Sequence, residues 1–329
     1  MTVSSTQSSA AFHAFPMGPH LRAYLGIPDE AYRGGVAPQR TEADIQALTA
    51  HLKAWHGSRP QLATGDAVDL LDELVAMDLP EAVLDLAAGY PAEAFQDDFR
   101  AQLSLGVAAM LVGRLTDAEA HFRAAQGLMP EEPAPYVNLV QILLAGGRLD
   151  EAEVWLMAGL DAEANNLRLW DLLASLYQER YGEYLPDQLM AIAEKRCSWA
   201  GLSLAANLTT TGDRYLKANL LERLYHQGER DAQFLVELTG AHGIAGEFAK
   251  IPPLVWQAER LATKGLPWQL HVHCAQAQLA MGQGGEALAQ LAKAQRDPLL
   301  PDDAKAALAE LEDEARHAAA QEAAPRDLH

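Results

Sequence analysis

The chain has 329 residues, 49% of them hydrophobic and 7% aromatic, and carries a formal net charge of −20 from 45 acidic and 25 basic side chains. Such a length suits about two globular domains or one long stacked array, and the excess of Ala and Leu over scattered β-branched residues favours helix nearly throughout. The charge argues against nucleic-acid binding, which needs clustered Lys and Arg to displace counterions from phosphates; two distant cysteines, Cys197 and Cys274, make neither a disulfide framework nor a paired-Cys metal motif.

Residues 1–40 read as a disordered or extended N-terminal segment. The first twelve are rich in Ser and Thr and offer too little apolar surface to offset the entropy of ordering. The opening MTVSSTQSSAAFHAF lacks the basic and apolar regions of a secretory signal. No apolar run approaches the ~20 residues of a membrane span. A cytoplasmic protein without membrane contact is therefore expected. Residues 13–40 hold apolar anchors at weak periodicity, enough for one short helix that packs along the next elements as an N-terminal cap.

Helical periodicity begins at Thr41, which with Asp44 resembles a capping box, and Ile45, Leu48, Leu52 and Trp55 follow at helical spacing. A loop spans Gly57 to Gly65. Asp66 then opens a helix with Val68, Leu71, Leu74 and Val75 inward, and Pro80 sits in the first turn of another that Gly89 ends. Residues 41–98 thus read as degenerate helical hairpins.

From residue 99 a register repeats. Gly113 and Gly147 are 34 residues apart, and the same step carries Leu105 onto Leu139, Ala118 onto Ala152 and Phe122 onto Leu156. A period of this size is the mark of stacked helical hairpins. Each position has a packing reason: Gly106 lets a second helix come close, Gly113 stops the first helix, Ala118 sits at the tight crossing, and Phe122 and Ala125 fill the interface before Pro130. This pattern resembles the tetratricopeptide repeat family, most closely in residues 99–166. Val140 departs from it where the small glycine is usual, and Ala164 where the ending proline is usual. Trp170, Leu173, Ala174 and Tyr177 open a third unit whose turn, RYGEYLPDQ, delays its second helix to Pro186. Residues 199–228 keep Leu204, Ala205, Leu208, Gly212 and Asp213. In residues 231–265, Pro252–Pro253 is expected to delay the second helix to about Leu254. Gly282, Ala287, Leu291 and Ala294 return to type.

The resemblance implies an all-α fold, a right-handed superhelical array of hairpins forming an α-solenoid over residues 99–300. A capping helix is expected over 301–322 and a frayed tail over 323–329. It also implies where a partner sits, because the first helix of each pair lines a concave groove that receives an extended segment. In register, that groove takes Val137, Asn138 and Gln141 from one unit and Asp171, Ser175 and Gln178 from the next. Later units contribute Ser203, His273 and Gln276. The Asn138 amide can donate to and accept from a partner backbone whatever its sequence, or it can simply bond its neighbours. Family members that grip a C-terminal carboxylate use Lys and Arg at groove positions. Here those slots are neutral or acidic, which suits a neutral or basic segment.

No phosphate loop, nucleophile elbow or His-Glu metal motif occurs, so neither catalytic residues nor a cofactor are expected. In His271-Val272-His273-Cys274, His271 and Cys274 share a helix face and His273 points elsewhere, so a core cysteine with partly exposed histidines outweighs a zinc site. Trp55, Trp155, Trp170, Trp199, Trp256 and Trp268 read as packing anchors. The chain is thus expected to be a non-catalytic scaffold or adaptor for a protein partner. The alternatives are an accessory subunit of an enzyme or assembly system, such as glycosyltransferase, secretion or cell-envelope machinery, and an enzyme with a pocket at the irregular stretches 181–187 or 242–253.

Overall fold

A computed structural model of the chain describes residues 17–25, 42–56, 62–209, 213–263 and 265–323. The expectations for residues 1–16 and 26–40, the Thr41–Asp44 cap, the start of the Gly57 loop, Gly212, the Trp55 side chain and the tail from residue 324 lie outside the described residues. Within them there are seventeen α-helices and no strand. The chain divides into two compact units between Arg180 and Tyr181.

The first unit holds α1 (Pro19–Leu25), α2 (Glu42–His56), α3 (Thr64–Ala76), α4 (Pro80–Ala88), α5 (Phe99–Leu111), α6 (Leu115–Leu128), α7 (Pro133–Ala145), α8 (Leu149–Ala162) and α9 (Leu167–Tyr181). From α3 onward the helices pair as first and second arms of hairpins, α3 with α4, α5 with α6 and α7 with α8, while α1 packs on α3 and α2 on α4. The turns close for a backbone reason. Gly113 and Gly147 adopt φ of +80° and +68°, the left-handed conformation that glycine takes without a Cβ penalty. The following amides then fold back, Arg114 N–H onto Ala109 O and Arg148 N–H onto Leu143 O, each at 2.8 Å, so an otherwise orphaned carbonyl in each turn is satisfied.

Close approach of the two arms also follows from sequence. A Cβ on Gly106 would stand 2.6 Å from the Phe122 ring, so glycine is what admits that ring, which is fully buried. In the next hairpin Val140 fills the Gly106 slot. The close contact moves to Gly159 on α8, where a Cβ would meet Tyr136 and Leu169 at 2.9 Å. The polar tips of the repeat aromatics have a job as well. Tyr136 Oη donates to Pro130 O, and Trp170 Nε1 donates to Ala164 O, both at 2.8 Å and both six residues back. The slot at 130 and 164 therefore supplies a carbonyl to the aromatic, and Ala164 does this as well as proline.

Neighbouring hairpins are also joined by ion pairs. Arg148 bonds Glu119 of the hairpin before it and Glu151 of its own, each at 2.6 Å. Arg180 reaches Asp150 at 2.9 Å and Glu153 at 2.5 Å. Exposed pairs of this kind contribute only ~0–1 kcal/mol each, so the apolar interfaces hold the stack and the charges fix its register. At the N-terminal end, Met17 and, on α1, Leu21, Tyr24 and Leu25 are buried with Leu48, Leu52, Leu70 and Leu74. Glu73 of α3 caps α1, accepting the His20 N–H at 3.0 Å and the Leu21 N–H at 2.7 Å.

The second unit holds α10 (Pro186–Lys195), α11 (Trp199–Leu208), α12 (Leu216–Gln227), α13 (Ala232–Ala245), α14 (Ile251–Leu261), α15 (Trp268–Ala280), α16 (Gly284–Ala294) and α17 (Asp302–Ala323). The late start at Pro186 matches expectation. The pair Pro252–Pro253 does not delay a helix. Both lie in the first turn of α14, where the missing N–H groups would have had no partner, and a 3₁₀ turn over Phe248–Lys250 leads in. α17 buries Leu308 and Ala315 against α15 and α16 and turns Glu310, Asp313, Glu314 and Arg316 outward. Among the expected anchors, Trp170 and Trp199 are buried and Trp155 and Trp268 half-buried, whereas Trp256 is 49% exposed.

Candidate functional site

Side chains on the first arms fall into a repeated slot, the residue just before Leu105, Leu139, Leu173, Leu204, Leu238 and Cys274. In most hairpins this slot ties one first arm to its neighbour. Ser104 Oγ donates to Asp72 of α3 at 2.5 Å, and Ser203 Oγ donates to Glu237 of α13 at 2.8 Å. His273 of α15 meets Thr239 of α13 at 2.8 Å, and Leu172 is buried. Asn138 is different. Its amide is half-buried and makes no hydrogen bond among the described residues.

The surroundings of Asn138 share this property. Val137 and Gln141 flank it on α7, both half-buried, and the Gln141 amide also lacks a partner among the described residues. On α9, Asp171, Ser175 and Gln178 are exposed. Ser175 Oγ donates back to Asp171 O at 2.8 Å, while the Asp171 carboxylate has neither hydrogen bond nor ion pair among the described residues. One step earlier in register, α5 presents half-buried Leu103 and Val107. Beyond them Arg100 is engaged by Asp69 at 2.8 Å and Asp72 at 2.5 Å. This network, with His20 Nδ1 2.8 Å from Glu73, did not emerge from the sequence reading. The 34-residue step could have found part of it, since Ser104 is the register mate of Asn138.

In the second unit, Ser203 is buried and bonded to Glu237, which Lys217 also meets at 2.8 Å. Burial alone would push the Glu237 carboxyl up, but Lys217 and Ser203 outweigh it and hold the group below its usual range. His273 and Gln276 line a recess of about 500 Å³ with Thr239, Gly240, Gly243, Ile244 and Phe248. Gly243 leaves space where a Cβ would meet nothing, and the 3₁₀ turn before α14 supplies Phe248 as a wall. The irregular stretch 242–253 is therefore what shapes this recess.

The state of His273 follows from its partner. Thr239 Oγ1 lies 2.8 Å from Leu235 O, a backbone acceptor, so the hydroxyl proton goes there and the oxygen accepts from His273 Nδ1–H. Nε2 is then left as an acceptor. Burial pushes the imidazole below its ordinary pKa, against the opposing pull of Glu237, so it is neutral at pH 7. The other two side chains of the His-Val-His-Cys run go elsewhere. His271 Nδ1 lies 2.8 Å from Gln290 Oε1, and Cys274 is fully buried, its thiol pushed up to about 12 by that burial. No group of three or more His, Cys, Asp or Glu with metal-binding geometry occurs among the described residues. Nor is any described helix long and apolar enough to cross a membrane.

Residues 109–176, from within α5 to within α9, match the model of the tetratricopeptide repeat family. Among solved structures the chain is similar to a tetratricopeptide repeat protein from Parabacteroides merdae, at 14% identity over 77% of this chain and 99% of that one, with a TM-score of 0.40. It is also similar to a thermophilic tetratricopeptide repeat protein from Thermus thermophilus, at 20% identity over 65% and 98% of the two chains and a TM-score of 0.32. A third similarity is to pilF of Pseudomonas aeruginosa, at 13% identity over 64% and 97%, with a TM-score of 0.36. No curated protein matches the chain. The family match overlaps the two hairpins in which the 34-residue step is clearest and runs on into α9.

Proposed function

We propose that this protein is a non-catalytic scaffold that holds an extended segment of a partner protein along the face of α7 and α9, with Asn138 as its central contact. One observation carries this reading: Asn138 occupies the slot that Ser104, Ser203 and His273 use for internal bonds, yet its amide bonds nothing within the described residues. A half-buried amide without a partner has already lost part of its hydration, so a ligand that supplies both a donor and an acceptor regains two hydrogen bonds at little further desolvation cost. An extended backbone offers that pair at regular spacing. Helical mounting keeps Asn138, Gln141 and Asp171 in place before binding, which lowers the ordering cost. The unpaired Asp171 carboxylate and the net charge of −20 favour a neutral or basic segment.

The test places a photo-crosslinking amino acid at Gln141 and compares it with one on the opposite arm at Ala124, in the cells from which the protein derives. A discrete crosslinked partner is expected from position 141 alone, lost when Asn138→Ala and Asp171→Ala are combined in a protein with unchanged circular dichroism. Equal crosslinking from both positions, or crosslinking that survives the double substitution, refutes the assignment. If the crosslinked partner is an enzyme or an assembly component that co-purifies in fixed ratio, the scaffold is an accessory subunit of that system. The recess at His273 supports binding rather than a reaction, because Thr239 is committed to a backbone carbonyl and Gln276 does not titrate, leaving no nucleophile opposite the imidazole.

A further inference from the structure

A separate cavity of about 400 Å³ in the second unit lies between the end of α12, the start of α13, the last turns of α14 and the connection to α15. Its walls are apolar, with Leu235, Leu254, Leu261 and Leu266 prominent, and Leu261 is 64% exposed. Arg230 is the only charged residue in the described lining. Its guanidinium lies over the Tyr225 ring, 3.7 Å from the centroid. Nη1 donates to Tyr225 O and Glu229 O, each at 2.5 Å, which uses both Nη1 hydrogens and covers the end of α12.

The remaining edge of that guanidinium is the informative part. Nε–H and one Nη2–H run parallel, the fork that matches the two oxygens of a carboxylate, and among the described residues nothing accepts from them. The adjacent acids do not compete. Glu229 accepts the Arg230 and Asp231 backbone N–H groups, Asp231 caps α13, and neither forms an ion pair with Arg230. The ring beneath is itself fixed, since Tyr225 Oη donates to Gln257 Oε1 at 2.6 Å. An unpaired carboxylate fork on a held guanidinium thus borders an apolar cavity whose volume falls in the range of small-ligand sites.

We propose that this cavity binds a free apolar monocarboxylic acid, its carboxylate on the Nε–Nη2 edge of Arg230 and its body among Leu235, Leu254, Leu261 and Leu266. The probe is octanoate, titrated calorimetrically into the full chain beside 1-octanol and a short peptide ending in free-carboxylate leucine. Saturable one-to-one octanoate binding is expected, with octanol at least tenfold weaker. Arg230→Lys keeps the charge but loses the fork and should weaken octanoate about tenfold. Ala258→Phe, which fills the cavity, should abolish binding with the melting midpoint unchanged. Octanol binding as tightly as octanoate, octanoate binding unaltered by both substitutions, or no saturable binding overturns the proposal. Tighter binding of the peptide than of octanoate overturns the free acid as occupant. None of these results bears on Asn138, which is tested by crosslinking in the other unit.

Discussion

Gly106→Ala should destabilise the protein, although Ala is the better helix former. Two opposing effects decide the sign. Replacing glycine inside a helix gains about 1 kcal/mol of backbone entropy and propensity. Against this, the new methyl would lie 2.6 Å from Phe122 Cε1 and 2.7 Å from Cδ1, well inside contact distance. The ring cannot swing away, because Phe122 is fully buried among Ala109, Ala118, Leu139 and Ile142. Overpacking of a filled core costs about 1–3 kcal/mol, so the net loss should reach up to about 2 kcal/mol. Gly127, on the same hairpin, is the control: it is exposed, and a Cβ there meets nothing, so Gly127→Ala should be neutral or stabilising by a few tenths of a kcal/mol near the helix end. The assay is urea denaturation followed by circular dichroism, with hydrogen exchange in α5 and α6 to localise the effect within a stack that need not unfold as one unit. Trimming the ring in Gly106→Ala/Phe122→Leu should cost less than the sum of the two single substitutions. A higher midpoint for Gly106→Ala, or strict additivity in the double variant, refutes the reasoning.

Acid should loosen the first unit as pH falls through and below the ordinary carboxylate range. The Arg148 guanidinium, and after it Arg123, holds the Glu119 carboxyl below its usual value. A depressed carboxylate stabilises the fold above its unfolded pKa, and that contribution fades as pH falls from about 4.3 through the lower folded value. Glu119→Gln should therefore flatten stability against pH below about 5, seen as a smaller drop in melting midpoint than wild type; an unchanged slope would contradict the pairing. Thiol labelling should separate the two cysteines. Cys274 is buried and its thiol raised to about 12, whereas Cys197 is exposed, so iodoacetamide at pH 8 should add one label to the folded chain and two in denaturant. Two labels without denaturant would contradict the burial of Cys274.

What was legible in the sequence is what depends on one hairpin and its own backbone. Gly113 and Gly147 end helices because their φ is positive, and that need is local. Gly106 faces Phe122 across a single hairpin, and a fixed spacing records it. The same reasoning misjudged Pro252–Pro253, because a proline pair both breaks a helix and begins one, and which it does depends on whether the preceding residues can form the lead-in turn seen at Phe248–Lys250. The register also names a slot without naming its partner. Ser104, Asn138, Ser203 and His273 are equivalent by position, and only the neighbouring helix decides whether each is already bonded. Asp72, Glu237 and Thr239 engage three of them. Those partners come from other hairpins, 32 to 34 residues away, and no alternation within the helix reveals them. The same gap hid the cavity beside Arg230, since a recess depends on what a neighbouring arm fails to fill, whereas the recess at His273 lies at the irregular stretch 242–253 that the sequence singled out. A repeat therefore distributes its chemistry unevenly: each internal bond along the first arms secures the stack and closes that slot to a partner. The proposed binding role of Asn138 is compatible with a stable stack because α7 is held by Tyr136 and by the apolar contacts of Leu139, Val140 and Leu143 instead. That division predicts that Asn138→Ala leaves stability nearly unchanged, while Tyr136→Phe, which frees Pro130 O and the Gln126 amide, costs about 1 kcal/mol. Loss of stability on Asn138→Ala would mean that the amide is engaged within the fold after all, and the binding face would have to be sought elsewhere.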